Sequence, residues 1–177
     1  MSDISFEDRT VIVTGAGNGL GKAYAIELGN RGAKVVVNDL GGSVDGSGSG
    51  STPADEVVNE IIANGGEAVA NYDSVATKDG GEAIVQTAID SFGTVDAVIN
   101  NAGILRDKSF AKMTEEELSL IIDVHLKGTF FVSQPAFTVM KEKNYGRIVN
   151  VASPSGLFGN FGQSNYGAAK MGIVGLT

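Results

Sequence analysis

A doubly wound α/β fold on a parallel sheet, of the Rossmann type, is predicted by three observations. Short apolar runs alternate with longer segments of helical period, a glycine-rich turn joins the first run to the first helical segment, and the runs lack polar alternation, as strands covered on both faces require. Five runs read as strands: Thr10–Thr14, Lys34–Asn38, Glu67–Tyr72, Ala97–Asn100 and Arg147–Val151, each rich in Val, Ile or Ala.

Helical segments fill the intervals. The first runs from about Gly19 to Arg31 and stops near Gly32, a residue suited to ending a helix. The second opens at Thr52-Pro53, read as a capping residue followed by proline at the first helical position. The third covers Lys78 to Phe92. A fourth starts at Thr114, with Glu117 placed to complete a capping box, and runs to about Lys141 with a bend expected near Pro135. The fifth begins near Ser164. Between the second strand and second helix, residues 41–51 have the glycine and serine content of a flexible loop, either a plain surface insertion or a cover over the adenine end of a ligand. The last residues, Met171 to Thr177, are apolar and carry no stop signal, so the chain reads as cut inside a helix, with the last part of the fold missing.

Composition narrows the function classes. With 177 residues the chain is long enough for one domain and short for two, so residues 1–177 are read as one unit. Hydrophobic residues make up 42% and charged residues 19%, the balance of a folded soluble protein. A net charge of −8 argues against nucleic acid or an anionic membrane as partner. The absence of cysteine excludes disulfides and thiolate metal sites, and His125 is the single histidine, so no metal is expected. The N-terminus is acidic where a signal peptide is basic, and no apolar stretch is long enough to span a bilayer, so a cytoplasmic location is the default expectation.

The turn after the first strand reads Thr14-Gly15-Ala16-Gly17-Asn18-Gly19-Leu20-Gly21 and leads straight into a helix. Glycines there permit a tight turn and a close backbone, while the helix N-terminus favours an anion such as a pyrophosphate. A carboxylate at the end of the next strand, Asp39, completes the context of a dinucleotide site. Asp39 can accept from ribose hydroxyls and would repel a 2′-phosphate, which predicts NAD over NADP; its alternative role is a turn residue. Asp73, Ser74 and Val75 follow the third strand, and Asn101, Ala102 and Gly103 follow the fourth. Both groups sit where an open parallel sheet places its ligand crevice, although turns draw on the same residue types.

Tyr166 and Lys170 stand four residues apart, one helical turn, with Ser153 thirteen residues before Tyr166. A free phenol titrates near ~10, and a neighbouring ammonium favours the phenolate, bringing proton exchange toward neutral pH. Ser153 would aim a hydroxyl at the same substrate oxygen. Tyrosine and lysine at helical spacing are also common without any catalytic role.

Thr14-Gly15, Gly19, Gly21, Asn100-Asn101-Ala102-Gly103, Ser153, Tyr166 and Lys170, in that order, resemble the short-chain dehydrogenase/reductase family over the whole chain. The resemblance implies Tyr166 as general acid or base, Lys170 as its pKa partner and a hold on the nicotinamide ribose, and Ser153 polarising the substrate oxygen. The thirteen-residue interval selects Ser153 over Ser155. Further runs, Val37 to Gly42, Ala70 to Val75, Asn101 to Asp107 and Tyr145 to Ile148, look like the (3R)-hydroxyacyl-CoA dehydrogenase group of peroxisomal multifunctional enzymes of type 2 and their bacterial relatives.

That resemblance implies a hydride transfer between NAD and a (3R)-3-hydroxyacyl-CoA thioester in fatty-acid metabolism, and a homodimer or homotetramer. It also implies a peroxisomal location if the chain is part of a eukaryotic multifunctional enzyme. His125 stands where many members have an asparagine in a proton relay, so it is either a relay group or a satisfied core histidine. Family members run well beyond this length, so the domain reads as C-terminally incomplete, with the fifth strand at an exposed edge and an open acyl pocket. Two other readings stand beside the first: an NADPH-dependent 3-oxoacyl reductase, and a truncated nucleotide-binding protein without catalysis.

Overall fold

The computed structural model describes residues 4–43, 45–48 and 50–177. Met1 to Asp3, part of the acidic N-terminus, and Val44 and Ser49 of the glycine-serine segment lie outside the described residues.

Strands β1 (Thr10–Thr14), β2 (Lys34–Asn38), β3 (Glu67–Asn71), β4 (Ala97–Asn100) and β5 (Arg147–Asn150) form one parallel sheet in the order β3-β2-β1-β4-β5. Successive side chains of a strand point to opposite faces, so an unbroken apolar strand feeds two cores at once. Val11, Val13, Val35 and Val37 pack on one side with helices α1 (Gly19–Asn30) and α2 (Thr52–Ala63), which contribute Ala25 and Ile61. Ile12, Val36 and Val98 pack on the other with α3 (Lys78–Phe92) and α5 (Gly128–Glu142), through Ile84 and Val132. Each such Val or Ile, fully buried, contributes about 1.5–3 kcal/mol. Sheet coverage is uneven: of the two edge strands, β3 and β5, the latter leaves Val149 50% exposed.

The helix ends follow local chemistry. Gly32 has φ +90° after α1, and Ala33 N donates to Leu28 O at 3.0 Å. Thr77 accepts from Gly80 N at 3.1 Å at the start of α3, and Gly93 ends it at φ +78°. Thr52, read from sequence as a cap, is instead the first residue of α2. Ser51 before it already has helical backbone angles and makes no side-chain capping bond. The capping box at Thr114 and Glu117 is present and opens α4 (Glu115–Ile121).

The long fourth helix departs from the sequence reading at its middle. A π-helical stretch, Ile122–Lys127, separates α4 from α5, and α5 continues through Pro135 to Glu142. Proline there removes the amide that would reach back one turn and crowds the carbonyl at that place, yet the helix runs on past it. Two short elements were beyond a periodicity argument: a single 3₁₀ turn at Phe110–Lys112, and α6 (Pro154–Phe158), capped by Ser153. The last element, α7, spans Ser164–Leu176.

β1 pairs with β2 on one side and β4 on the other. Chain connections therefore diverge at the carboxyl ends of β1 and β4, and a crevice opens there.

Candidate active site

A crevice of about 380 Å³ lies over those strand ends. Gly15, Asn18 and Gly19 of the first turn line it. Gly15 has φ +62°, and a Cβ on it would stand 2.7 Å from Ala102 Cα, so only glycine allows the first and fourth strand ends to approach this closely. Thr14 stitches the two together: its Oγ1 accepts from Asn101 N and Ala102 N, both at 3.1 Å. Asn101 Nδ2 in turn donates to Thr14 O and Gly15 O, both at 3.0 Å. Gly21 lies beneath the turn, where a Cβ would meet Gly15 O at 2.1 Å. Leu20 points outward, 63% exposed. Neither Leu20 nor Gly21 lines the crevice, and their part is to start α1 directly on the turn.

Asp39 lines the next wall. Its Oδ2 accepts from Gly17 N at 2.8 Å and its Oδ1 from Gly41 N at 2.7 Å. The carboxylate thus braces the glycine turn while keeping its charge at the crevice. Asp73, Ser74 and Val75 line the same side. Buried Asn38 fixes them, donating through Nδ2 to Asn71 Oδ1 at 2.8 Å and to Asp73 O at 2.9 Å. Asn101, Ala102 and Gly103 line the opposite wall. Lining residues not singled out from sequence include Asn38, Ile104, Leu120 and Val124. No periodicity marks these, since each is set by which loop the topology brings alongside. Gly42, Ser43 and Gly46 of the glycine-serine loop also face the crevice.

Tyr166 and Lys170 stand apart from this crevice, on α7. The Lys170 Nζ lies 5.6 Å from the Tyr166 ring centroid and donates to Val151 O at 2.6 Å. Lys170 is 3% exposed, and burial pushes its ammonium down from 10.5 to about 8. His125, from the π stretch, meets the Tyr166 ring edge-on. Its Nε2 sits 2.8 Å from Ile104 O and 3.1 Å from Ile104 N, while its Nδ1 is buried with no hydrogen-bond partner among the described residues. Burial first, and then the Lys170 charge, push His125 down from 6.5 to about 4, so its ring is neutral at neutral pH.

Ser153 accepts from Ser155 N at 3.2 Å as the cap of α6. Ser155 is committed elsewhere, its Oγ donating to Gln163 Oε1 at 2.9 Å. Asn165 was not flagged by sequence reasoning, yet it fixes the start of the tyrosine helix. Its Nδ2 donates to Arg106 O at 3.1 Å and Glu117 O at 3.2 Å, and its Oδ1 accepts from Tyr166 N at 2.8 Å. The one available signal was a large polar residue in a small, apolar stretch.

Among the described residues no group of three or more His, Cys, Asp or Glu could hold a metal ion, and no helix is long and apolar enough to cross a membrane.

The chain resembles known proteins in sequence and in fold. The sequence profile described as short chain dehydrogenase matches residues 9–177. The chain is 62% identical over 174 residues to the peroxisomal hydratase-dehydrogenase-epimerase of Saccharomyces cerevisiae, covering 98% of this chain and 19% of that protein. It is 56% identical over 175 residues to peroxisomal multifunctional enzyme type 2 of Mus musculus, covering 99% of this chain and 23% of that one. The crystal structure of a short chain dehydrogenase from Mycobacterium avium superposes with a TM-score of 0.89 at 47% identity, covering 97% of this chain and 61% of that one. The chain therefore spans about a fifth of the length of these two curated relatives.

Proposed function

The chain belongs to the short-chain dehydrogenase family of oxidoreductases, and on that premise we propose that it transfers hydride between NAD and C3 of a (3R)-3-hydroxyacyl-CoA thioester. One observation carries the chemistry: a lysine only 3% exposed has its ammonium beside a tyrosine ring, with the Val151 carbonyl as its hydrogen-bond partner. Burying that charge costs free energy, and its return here is to favour the Tyr166 phenolate.

The crevice suits a dinucleotide. Among the described residues beyond its chain neighbours and its own helix, none comes within 4 Å of the place a Cβ on Gly19 would take, so that side of the turn is open toward a ligand. Gly15, Asn18 and Gly19 would hold the pyrophosphate and Asp39 the adenosine ribose, with Asp73 to Val75 on one wall and Asn101 to Gly103 on the other. When bound, the dinucleotide supplies the hydride acceptor.

Tyr166 then takes the proton of the substrate hydroxyl as C3 loses hydride and its C–O bond becomes a carbonyl. Lys170 stabilises the phenolate before that transfer, and Ser153 donates to the oxygen that becomes the carbonyl. His125 is neutral and seated on Ile104, so it works by orienting the tyrosine ring and the crevice wall. The acyl-CoA assignment follows the resemblance carried by Val37 to Gly42 and Asn101 to Asp107. NAD is preferred on account of the Asp39 charge.

The test is production of NADH from a 3-hydroxyacyl-CoA thioester and NAD by this chain and by Tyr166→Phe. A loss of roughly 10²–10⁴-fold in turnover is expected for the variant, the range of a general acid-base contribution. Equal rates would remove Tyr166 from the mechanism.

A further inference from the structure

The glycine-serine loop after β2 is tied across the crevice. Its base is closed by Gly50 N donating to Leu40 O at 3.0 Å. Its tip is organised by Asp45, whose carboxylate accepts from the Ser43 and Ser47 hydroxyls and from Ser47 N at 2.9 Å. The tip then reaches the far wall. Arg106 Nε donates to Asp45 O at 2.5 Å, and a Cβ on Gly46 would stand 2.9 Å from Ile104 Cδ1. The crevice runs beneath this crossing, with Gly42, Ser43 and Gly46 on one wall and Ile104, Leu120 and Val124 on the other.

Arg106 is tied by its backbone to the start of the tyrosine helix. Its carbonyl accepts from Asn165, the residue that also binds Tyr166 N. Two positions earlier, Ile104 is held by His125. The loop itself is made of small residues with little apolar surface to bury, and glycines make its ordering costly in entropy. Among the described residues, the Arg106 hydrogen bond and the approach of Gly46 to Ile104 hold its tip to the far wall. The Ser43 and Ser47 hydrogen bonds hold the Asp45 carboxyl below the usual carboxylate range, and the Arg106 charge adds to this.

We propose that Arg106 is a positioning residue for the bound dinucleotide: by holding the Asp45 carbonyl it keeps the loop tip across the crevice and slows exchange of the cofactor. The inference rests on the dinucleotide reading of the crevice given above. A charged donor to a carbonyl is worth more than a neutral one, and its loss corresponds to roughly tenfold in a rate that requires the loop to lift. Lysine at the same position keeps a charged donor on a stem of similar reach.

The experiment measures NADH release by fluorescence after mixing the loaded chain with excess NAD, for wild type, Arg106→Gln and Arg106→Lys. Unfolding midpoints are recorded for all three. Release about tenfold faster in Arg106→Gln, largely restored in Arg106→Lys, with midpoints unchanged, is the expected result. Release at the wild-type rate in Arg106→Gln overturns the proposal. So does faster release that only follows a lowered midpoint and is not restored by lysine. A wild-type chain that binds no NADH overturns the dinucleotide reading, and this proposal with it, whereas normal binding with an unaltered Arg106→Gln release rate overturns the proposal alone.

Discussion

His125 meets the ring of Tyr166 edge-on, with centroids 5.1 Å apart and ring planes at 87°. Aromatic rings favour this arrangement because the positive edge of one faces the negative face of the other. Burial keeps the imidazole neutral in this seat at neutral pH.

That neutrality predicts a loss of stability in mild acid. His125 is pushed from 6.5 down to about 4 in the folded chain. Between those values the unfolded chain binds more protons, so the contribution is complete above 6.5 and is lost as the pH falls toward 4. Urea midpoints at pH 7 and pH 5 should differ less in His125→Asn than in wild type. Equal differences would place the acid sensitivity in the carboxylates.

Lys170 has opposite effects on stability and rate. Its folded value is about 8 against 10.5 ordinarily, so between these the unfolded chain holds more protons and stability rises with pH. Activity should fall over the same interval, because a neutral amine no longer supports the phenolate. Parallel pH profiles of the unfolding midpoint and of turnover check this. Lys170→Met should flatten the stability rise and lower turnover at all pH values. A turnover profile that keeps rising beyond pH ~9 in wild type would contradict the assignment.

Asp39→Asn keeps an acceptor for Gly17 N and removes the charge. Repulsion of a 2′-phosphate then disappears, and the affinity ratio of NADPH to NADH should rise by roughly tenfold or more. Fluorescence titration with both nucleotides measures it. An unchanged ratio would mean that selectivity lies elsewhere in the crevice.

Gly21→Ala places a Cβ 2.1 Å from Gly15 O, a backbone atom with nowhere to retreat. Overpacking of this kind costs about 1–3 kcal/mol, and the displaced turn should bind NADH more weakly. Denaturant melts and NADH titration of the variant report the two effects. Wild-type values in both would show that α1 can shift without consequence.

The strands were legible because a doubly covered sheet writes itself as unbroken Val and Ile. The bounds predicted for β1, β2 and β4 are those observed, and β3 and β5 each end one residue sooner. Gly15, Asn18, Gly19, Asp39 and the residues after β3 and β4 were legible as crevice lining because topology fixes what lies at strand ends. What escaped depends on contacts distant in sequence. Ile104 and Leu120 become crevice wall only once the loops fold together, and Asn165 gains its role from carbonyls at Arg106 and Glu117. The widened turn at Ile122–Lys127 escaped too, since its residues are ordinary helix formers and tertiary packing selects the geometry.

That widened turn makes the helical rod a two-sided part. A π turn takes in one residue more than an α turn, which rotates everything beyond it by about 100° relative to an unbroken helix. On one side of the offset, His125 faces Tyr166 and Ile104; on the other, Val132 and Ala136 face the core beneath the sheet. A single-residue deletion within 122–127 would restore regular α geometry and leave the two faces out of phase. The chain would then keep either its histidine contact or its seam with α3, so the length of this segment, more than its composition, is under constraint.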